Sequence, residues 1–334
     1  MIKRAFLAAA TIFAITAGQS TPSVAADSVL RVTTCQQRTH DHNAVFLEGF
    51  LEQVNAKKAG LRLNYLGGPE VTPFNKQGSA LKRGLVDLIF CPTPYYGGDL
   101  PEARLPGVHN KTLAEMRKNG AMAMLEEAWN KGLNAHILAW AATKVSSFYV
   151  YTISEPKLSE KTGLDLSGKK MRSTGLYNPM FKAMGATVVT MAPGDVYAGL
   201  ERGVVDGMAW PRGSVATYGW ERFLKYRIEP DFYGSTYFVI VNKTAYDKLS
   251  KAHKDLLEAQ AKIYEEKSNE LVLPKFDVDA KKQKEAGVKV FKLDGKVRKA
   301  YLKTIYDAKW AQNDTYKNYH VDYKKLKSLM YGDE

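Results

Sequence analysis

From residue 29 onward the chain alternates short β-branched runs with amphipathic helical stretches, and few architectures accept that order. VLRVTT (29–34) reads as a strand, and 43–58 reads as a helix with Val45, Phe46, Phe50 and Val54 on one face. LRLNYLGG (61–68) is the next strand, 74–83 a helix, and 86–91 a third strand. A longer helix is expected over 111–132, closed by Gly132, and the strand HILAW (136–140) follows. Such β-α-β-α-β alternation predicts a parallel sheet covered by helices on both faces, an α/β fold.

The unit is then used again. LKRGLVD (81–87) and LERGVVD (200–206) share Leu-x-Arg-Gly-x-Val-Asp. In each, a short helical stretch runs into Arg-Gly and a β-rich run follows. Gly84 and Gly203 sit where a helix end needs a left-handed residue, and Asp87 and Asp206 open the strands. The second copy lies among SSFYVYTIS (146–154), KKMRST (169–174), a short helix over 178–184 and ATVVTM (186–191). STYFVIVN (235–242) is apolar enough to return to the first sheet. Ser250 caps a long helix over 250–284 that Pro274 interrupts or bends, GVKVFKL (287–293) is a further strand, and 297–319 a final helix. Two lobes follow: 27–145, rejoined in part by 235–334, and 146–234. Because the chain crosses between them more than once, a hinged clamshell with a ligand cleft is expected.

Residues 1–26 stand apart. Lys3 and Arg4 precede an apolar stretch too short to span a bilayer, and small residues end at Ala26. This is the pattern of a secretory signal cleaved near Ala26, so an exported protein is expected. The whole chain has 48 Lys and Arg against 35 Asp and Glu, a formal net charge of +13. The excess is spread along helices with acidic residues between, and no nucleic-acid motif accompanies it, so it reads as a mild bias toward anions. Cys35 and Cys91 each end a predicted strand on one sheet edge. A disulfide between them and a pair of partly buried thiols are both compatible with that placement.

No catalytic signature is present: there is no Gly-x-Ser-x-Gly, His-Glu-x-x-His or phosphate loop, and no cofactor is implied. CQQRTHDHN (35–43) gathers Cys35, His40, Asp41 and His42, but without a second ligand cluster it predicts no metal site. Its position matters more, since open α/β sheets bind ligands beyond the carboxyl ends of their strands. On that ground Gln36, Gln37 and Arg38 after the first strand are candidates. So are Thr93, Tyr95 and Tyr96 in CPTPYYGG (91–98), and Lys144 in AATKVSSFY (141–149). The sharper candidate is Arg172, an arginine inside an apolar strand that needs an anionic partner, from the protein or from a ligand carboxylate. Trp210 and Arg212 fall on the same cleft edge.

SGKKMRSTG (167–175), TMAPGDVYAGLERGVVDGMAW (190–210), ERFLKY (221–226) and VNKTAYDKLSKAHKDLLEAQ (241–260) together resemble the solute-binding proteins of tripartite ATP-independent periplasmic (TRAP) transporters, dicarboxylate-binding type. The likeness covers nearly all of the chain after residue 26 and is strongest over 169–260. It implies a two-lobe periplasmic clamshell with crossover strands and a long helix spanning both lobes. It implies an organic-acid ligand and delivery to a small and a large membrane subunit driven by an ion gradient. The family's carboxylate-clamping arginine maps onto Arg172 and its selector onto Trp210. A second arginine common among relatives is replaced by Lys144, leaving Arg38 or Arg212 to take over. The bulk of Trp210 favours a compact or planar acid. A monomer or weak dimer is expected, pairing through 300–319. The alternatives are a binding protein of an ATP-driven importer or sensor, and a secreted hydrolase or isomerase drawing its base from Asp195, Asp206 or His40.

Overall fold

A computed structural model describes residues 27–332; the expected signal segment lies outside them. The first sheet takes β1 (Ser28–Thr34), β2 (Leu61–Gly67), β3 (Leu88–Pro92) and β4 (Ala135–Trp140). The second lobe contains β5 (Phe148–Thr152), the small hairpin β6 (Lys157–Ser159) and β7 (Gly163–Asp165), β8 (Lys170–Ser173), β9 (Thr187–Thr190), β10 (Gly207–Pro211) and β11 (Tyr226–Phe232). Then β12 (Tyr237–Asn242) returns to the first sheet and β13 (Lys289–Lys292) joins the second. The orders are β2-β1-β3-β12-β4 and β13-β11-β5-β10-β8-β9.

The two Arg-Gly-x-Val-Asp copies occupy the same structural place, one on each sheet. Gly84 has φ +68° and Gly203 φ +64°, conformations that cost glycine nothing. Asp87 accepts the Arg31 N–H at 2.8 Å and returns its own N–H to the Arg31 carbonyl at 2.9 Å. Asp206 does the same with Lys170, at 2.8 and 2.7 Å. Even the cation repeats: Arg31 donates to the Gly84 carbonyl at 2.6 Å and Lys170 to the Gly203 carbonyl at 3.0 Å. The motif therefore starts a parallel strand pair, β1 with β3 and β8 with β10, by satisfying the donors that a strand start leaves unpaired.

Ser250 caps the long helix, its hydroxyl accepting from the His253 N–H, and Pro274 does not interrupt the helix, which continues over Lys251–Glu285 with one backbone donor fewer. It covers the open edge of β4. That edge and the turn beyond it donate to side-chain acceptors: Ile137 N–H to Glu126, Trp140 N–H to Glu265, Ala142 N–H to Ser268 and Lys144 N–H to Asn269, all at 2.8–2.9 Å. The last three are supplied by the long helix, which protects an edge that would otherwise invite another strand. Glu265→Ala leaves the buried Trp140 N–H without a partner. We expect a loss of about 1–3 kcal/mol, read as a lower urea midpoint.

His136, also on β4, bridges Glu126 and Glu258 through its two ring nitrogens, each at 2.7 Å. Burial pushes the imidazole down, but the two carboxylates outweigh it and raise its pKa from 6.5 to about 9. A folded pKa above the unfolded one stabilises fully below pH 6.5, and that contribution is gone once pH has risen through about 9. The melting temperature should fall across this interval, with a shallower slope in His136→Gln.

Two helices depart from expectation. The predicted 111–132 helix is two, Leu113–Lys118 and Ala121–Leu133, because Gly120 turns the backbone at φ +91°. The predicted 297–319 helix is Gly295–Asp314, and a further helix, Tyr323–Met330, starts at Asp322, whose side chain accepts the Lys325 N–H. Gly295–Asp314 packs on the second lobe against Asn178–Ala183, whereas Tyr323–Met330 packs on Ala121–Leu133 of the first. The chain thus crosses between lobes a last time over 315–322.

Candidate functional site

Among the described residues, Arg172 is the largest charged side chain that is fully buried. It lies on β8 between β10 and β9 and is fully shielded from solvent. Its Nε and Nη2 donate to the Met191 carbonyl at 3.1 and 3.0 Å. Nη1 is buried without a hydrogen bond of good geometry, the neutral Tyr95 hydroxyl being close enough to interact with the guanidinium, and no acidic side chain among the described residues pairs with the group. Trp210 lies beside it, with the guanidinium carbon 5.2 Å from the ring centroid. The indole N–H donates to the Gly213 carbonyl at 3.1 Å, and the Trp220 ring packs edge-on at 4.7 Å, so the indole is held in one orientation.

The first lobe faces Trp210 across a small cavity of about 10 Å³, room for about one water. Gln36, Pro92, Pro94, Tyr95, Thr236 and Tyr237 line it from one side, and Phe148, Thr174, Leu176, Tyr177, Trp210 and Pro211 from the other. Burial raises the Tyr95 hydroxyl pKa above its usual value, while Arg172 and Gln36 act in the opposite direction. Burial likewise holds Tyr177 and Tyr237 well above theirs, so all three stay neutral donors near pH 7. Tyr237 donates to Gln36 Oε1 at 3.1 Å.

A disulfide joins Cys35 to Cys91, with Cα atoms 5.0 Å apart. Gln36 and Pro92 are the next residues, so the bond fixes both first-lobe loops at their roots. Two hydrogen bonds close the lobes nearby. The Asp41 N–H donates to Ser214 Oγ at 2.9 Å, and the Ala216 N–H to Asp279 of the long helix at 2.7 Å.

Trp210 and Tyr95 therefore meet at one cavity, and Arg172, which is not itself a lining residue, adjoins it through its contacts with both. Gln36 lines it too, and the remaining sequence candidates lie outside its wall. Thr93 is buried between the lining prolines, its N–H bound to the Thr236 carbonyl at 2.8 Å and its hydroxyl without a partner. Gln37 and Arg38 are exposed, with Arg38 over the Tyr65 ring at 5.6 Å. Lys144 is exposed. Arg212 is half-buried over Phe276 and 4.0 Å from Asp277. His40 serves as the cap of helix Asp41–Phe46, accepting the His42 N–H, and among the described residues no group of three His, Cys, Asp or Glu is placed to hold a metal ion. Tyr177 and Tyr237 were not singled out from sequence. The available signal was their place on the cleft edge, Tyr237 opening β12 and Tyr177 preceding the helix Asn178–Ala183 just beyond β8.

Residues 108–313 match the model of bacterial extracellular solute-binding protein family 7. The chain belongs to this family. A solute-binding protein of Albidiferax ferrireducens is 25% identical over 267 residues, 76% of each chain. A Bordetella pertussis extracytoplasmic solute receptor binding pyroglutamic acid has the same fold, with a TM-score of 0.77 at 17% identity over 91% of this chain and 99% of that one. A TRAP periplasmic solute-binding protein of a Sulfitobacter species, solved with β-D-galacturonate, gives 0.74 at 19% identity over 91% and 99%. The TRAP-type resemblance and the two-lobe fold with its long helix thus hold, and this family-7 chain is a solute-binding protein of the extracytoplasmic compartment.

Proposed function

We propose that this family-7 protein captures an organic acid between its lobes and hands it unchanged to the small and large membrane subunits of a TRAP transporter. One observation carries the reading: a buried guanidinium beside the inter-lobe cavity, with one nitrogen lacking a hydrogen bond of good geometry and no acidic side chain to neutralise it. Burying a charge in this way is costly unless an anion completes the site. A carboxylate from the cleft would supply it, with Trp210 covering the ligand and Tyr95 closing from the first lobe.

Export through a signal cleaved near Ala26, a periplasmic location and a monomer or weak dimer belong to the same reading. So does the absence of catalysis. Two bases the sequence offers are engaged elsewhere, Asp206 on the Lys170 N–H and His40 as a helix cap. A thermal-shift screen of refolded protein against small organic acids tests the proposal, because a ligand selective for the folded state raises the melting temperature. A rise for one class of acid, with the acid recovered unaltered, is expected. Conversion of the acid, or no response to any, would overturn it.

A further inference from the structure

The charge and chemistry of the cavity wall narrow the ligand further, on the premise that the cavity is the acid site. None of its lining residues is acidic or basic. Arg172 is not in the wall either, but it lies against Trp210 and Tyr95, which are. The other nominated cations are turned to other tasks: Lys144 and Arg38 are exposed, and Arg212 sits against Phe276 and Asp277 of the long helix. The polar groups of the wall are neutral, the Gln36 amide and the hydroxyls of Tyr95, Tyr177, Tyr237, Thr174 and Thr236. The closed site therefore has a single positive charge to offset.

We infer that the protein selects compact monocarboxylates with a flat, largely apolar body, and discriminates against dicarboxylates through the absence of a second cation at the wall. One carboxylate satisfies the guanidinium. A second would be enclosed beside aromatic rings and prolines with no counter-charge, and an unpaired buried carboxylate is among the most costly groups to desolvate. Phe148, Tyr177, Trp210 and Tyr237 present ring surface to the ligand body. The neutral hydroxyls and amide of the wall allow a ring nitrogen, a keto or a hydroxyl group, while the rings and prolines between them offer no partner to the further hydroxyls of a sugar acid. Specificity thus arises chiefly from what the wall lacks.

Calorimetry on refolded protein at pH 8 tests this with matched pairs: benzoate against phthalate, pyridine-2-carboxylate against pyridine-2,6-dicarboxylate, and butanoate against butanedioate, with galacturonate as the polyol acid. At least one ring monocarboxylate should bind at least ~100-fold more tightly than its dicarboxylate partner and than galacturonate. Dicarboxylate binding should improve as pH falls toward its second pKa, by up to about tenfold per pH unit, because the half-protonated monoanion is the form the site accepts. A dicarboxylate or galacturonate that binds at pH 8 as tightly as any monoacid, and loses affinity in Arg172→Met, would overturn the inference while leaving the organic-acid receptor intact. No response to any acid would overturn both.

Discussion

Arg172→Met is expected to lose acid binding by roughly 30- to 5,000-fold, the equivalent of about 2–5 kcal/mol for truncating one partner of a buried, hydrogen-bonded charge pair. The same substitution should leave the protein folded, within about 2 kcal/mol of the parent. Methionine fills much of the volume and removes a buried charge that lacks an acidic partner, which offsets the two hydrogen bonds lost at the Met191 carbonyl. Arg172→Lys is intermediate, since it keeps the charge but not the two parallel donors. Calorimetry for binding and urea unfolding for stability separate the two effects. A site retained for folding would show them falling together. A site retained for a ligand shows binding lost at near-constant stability.

Replacing both cysteines, as Cys35→Ala with Cys91→Ala, is expected to destabilise the chain by about 4 kcal/mol. The bond closes a loop over a sequence separation of 56 residues, and the chain-entropy account assigns that much to a loop of this length. In a protein of this size the melting temperature should fall by on the order of 10 °C. Reductant should reproduce the shift in the parent and have no effect on the double variant. Acid affinity should weaken as well, since the bond roots the Gln36 loop and the Pro92–Tyr95 loop and its loss makes their ordering a cost of binding.

Much of the fold could be read from local pattern because its signals are short-range. A helix C-terminus needing a left-handed glycine, an aspartate at a strand start and a serine cap all act within a few residues of themselves. That is why the Arg-Gly-x-Val-Asp repeat and Ser250 were legible. Gly120 was missed because one glycine inside an apolar periodicity reads as tolerated, while the Thr112 and Glu115 capping box already defines a separate short helix. Asp322 was missed because the helix it caps has only eight residues.

The site divides in the same way. Arg172 stood out because a cation in an apolar strand is anomalous wherever the strand goes. Tyr177 and Tyr237 did not, since a tyrosine at a helix cap or a strand start is ordinary until two lobes bring it to a shared cavity. The reverse holds for Lys144, Arg38 and Arg212. Each follows a cleft-edge strand, but which way a loop side chain turns is decided by partners distant in sequence. Lys144 has its backbone held by Asn269, Arg38 lies over Tyr65, and Arg212 leans on Phe276.

The most direct test of the account is a crystal structure of the protein with the tightest acid from the screen. The predicted result places one ligand carboxylate within hydrogen-bond distance of Arg172, with Trp210 on one face of the ligand and Tyr95 reaching it from the first lobe. An acid bound elsewhere, or a carboxylate held in the cleft without contact to Arg172, would contradict it.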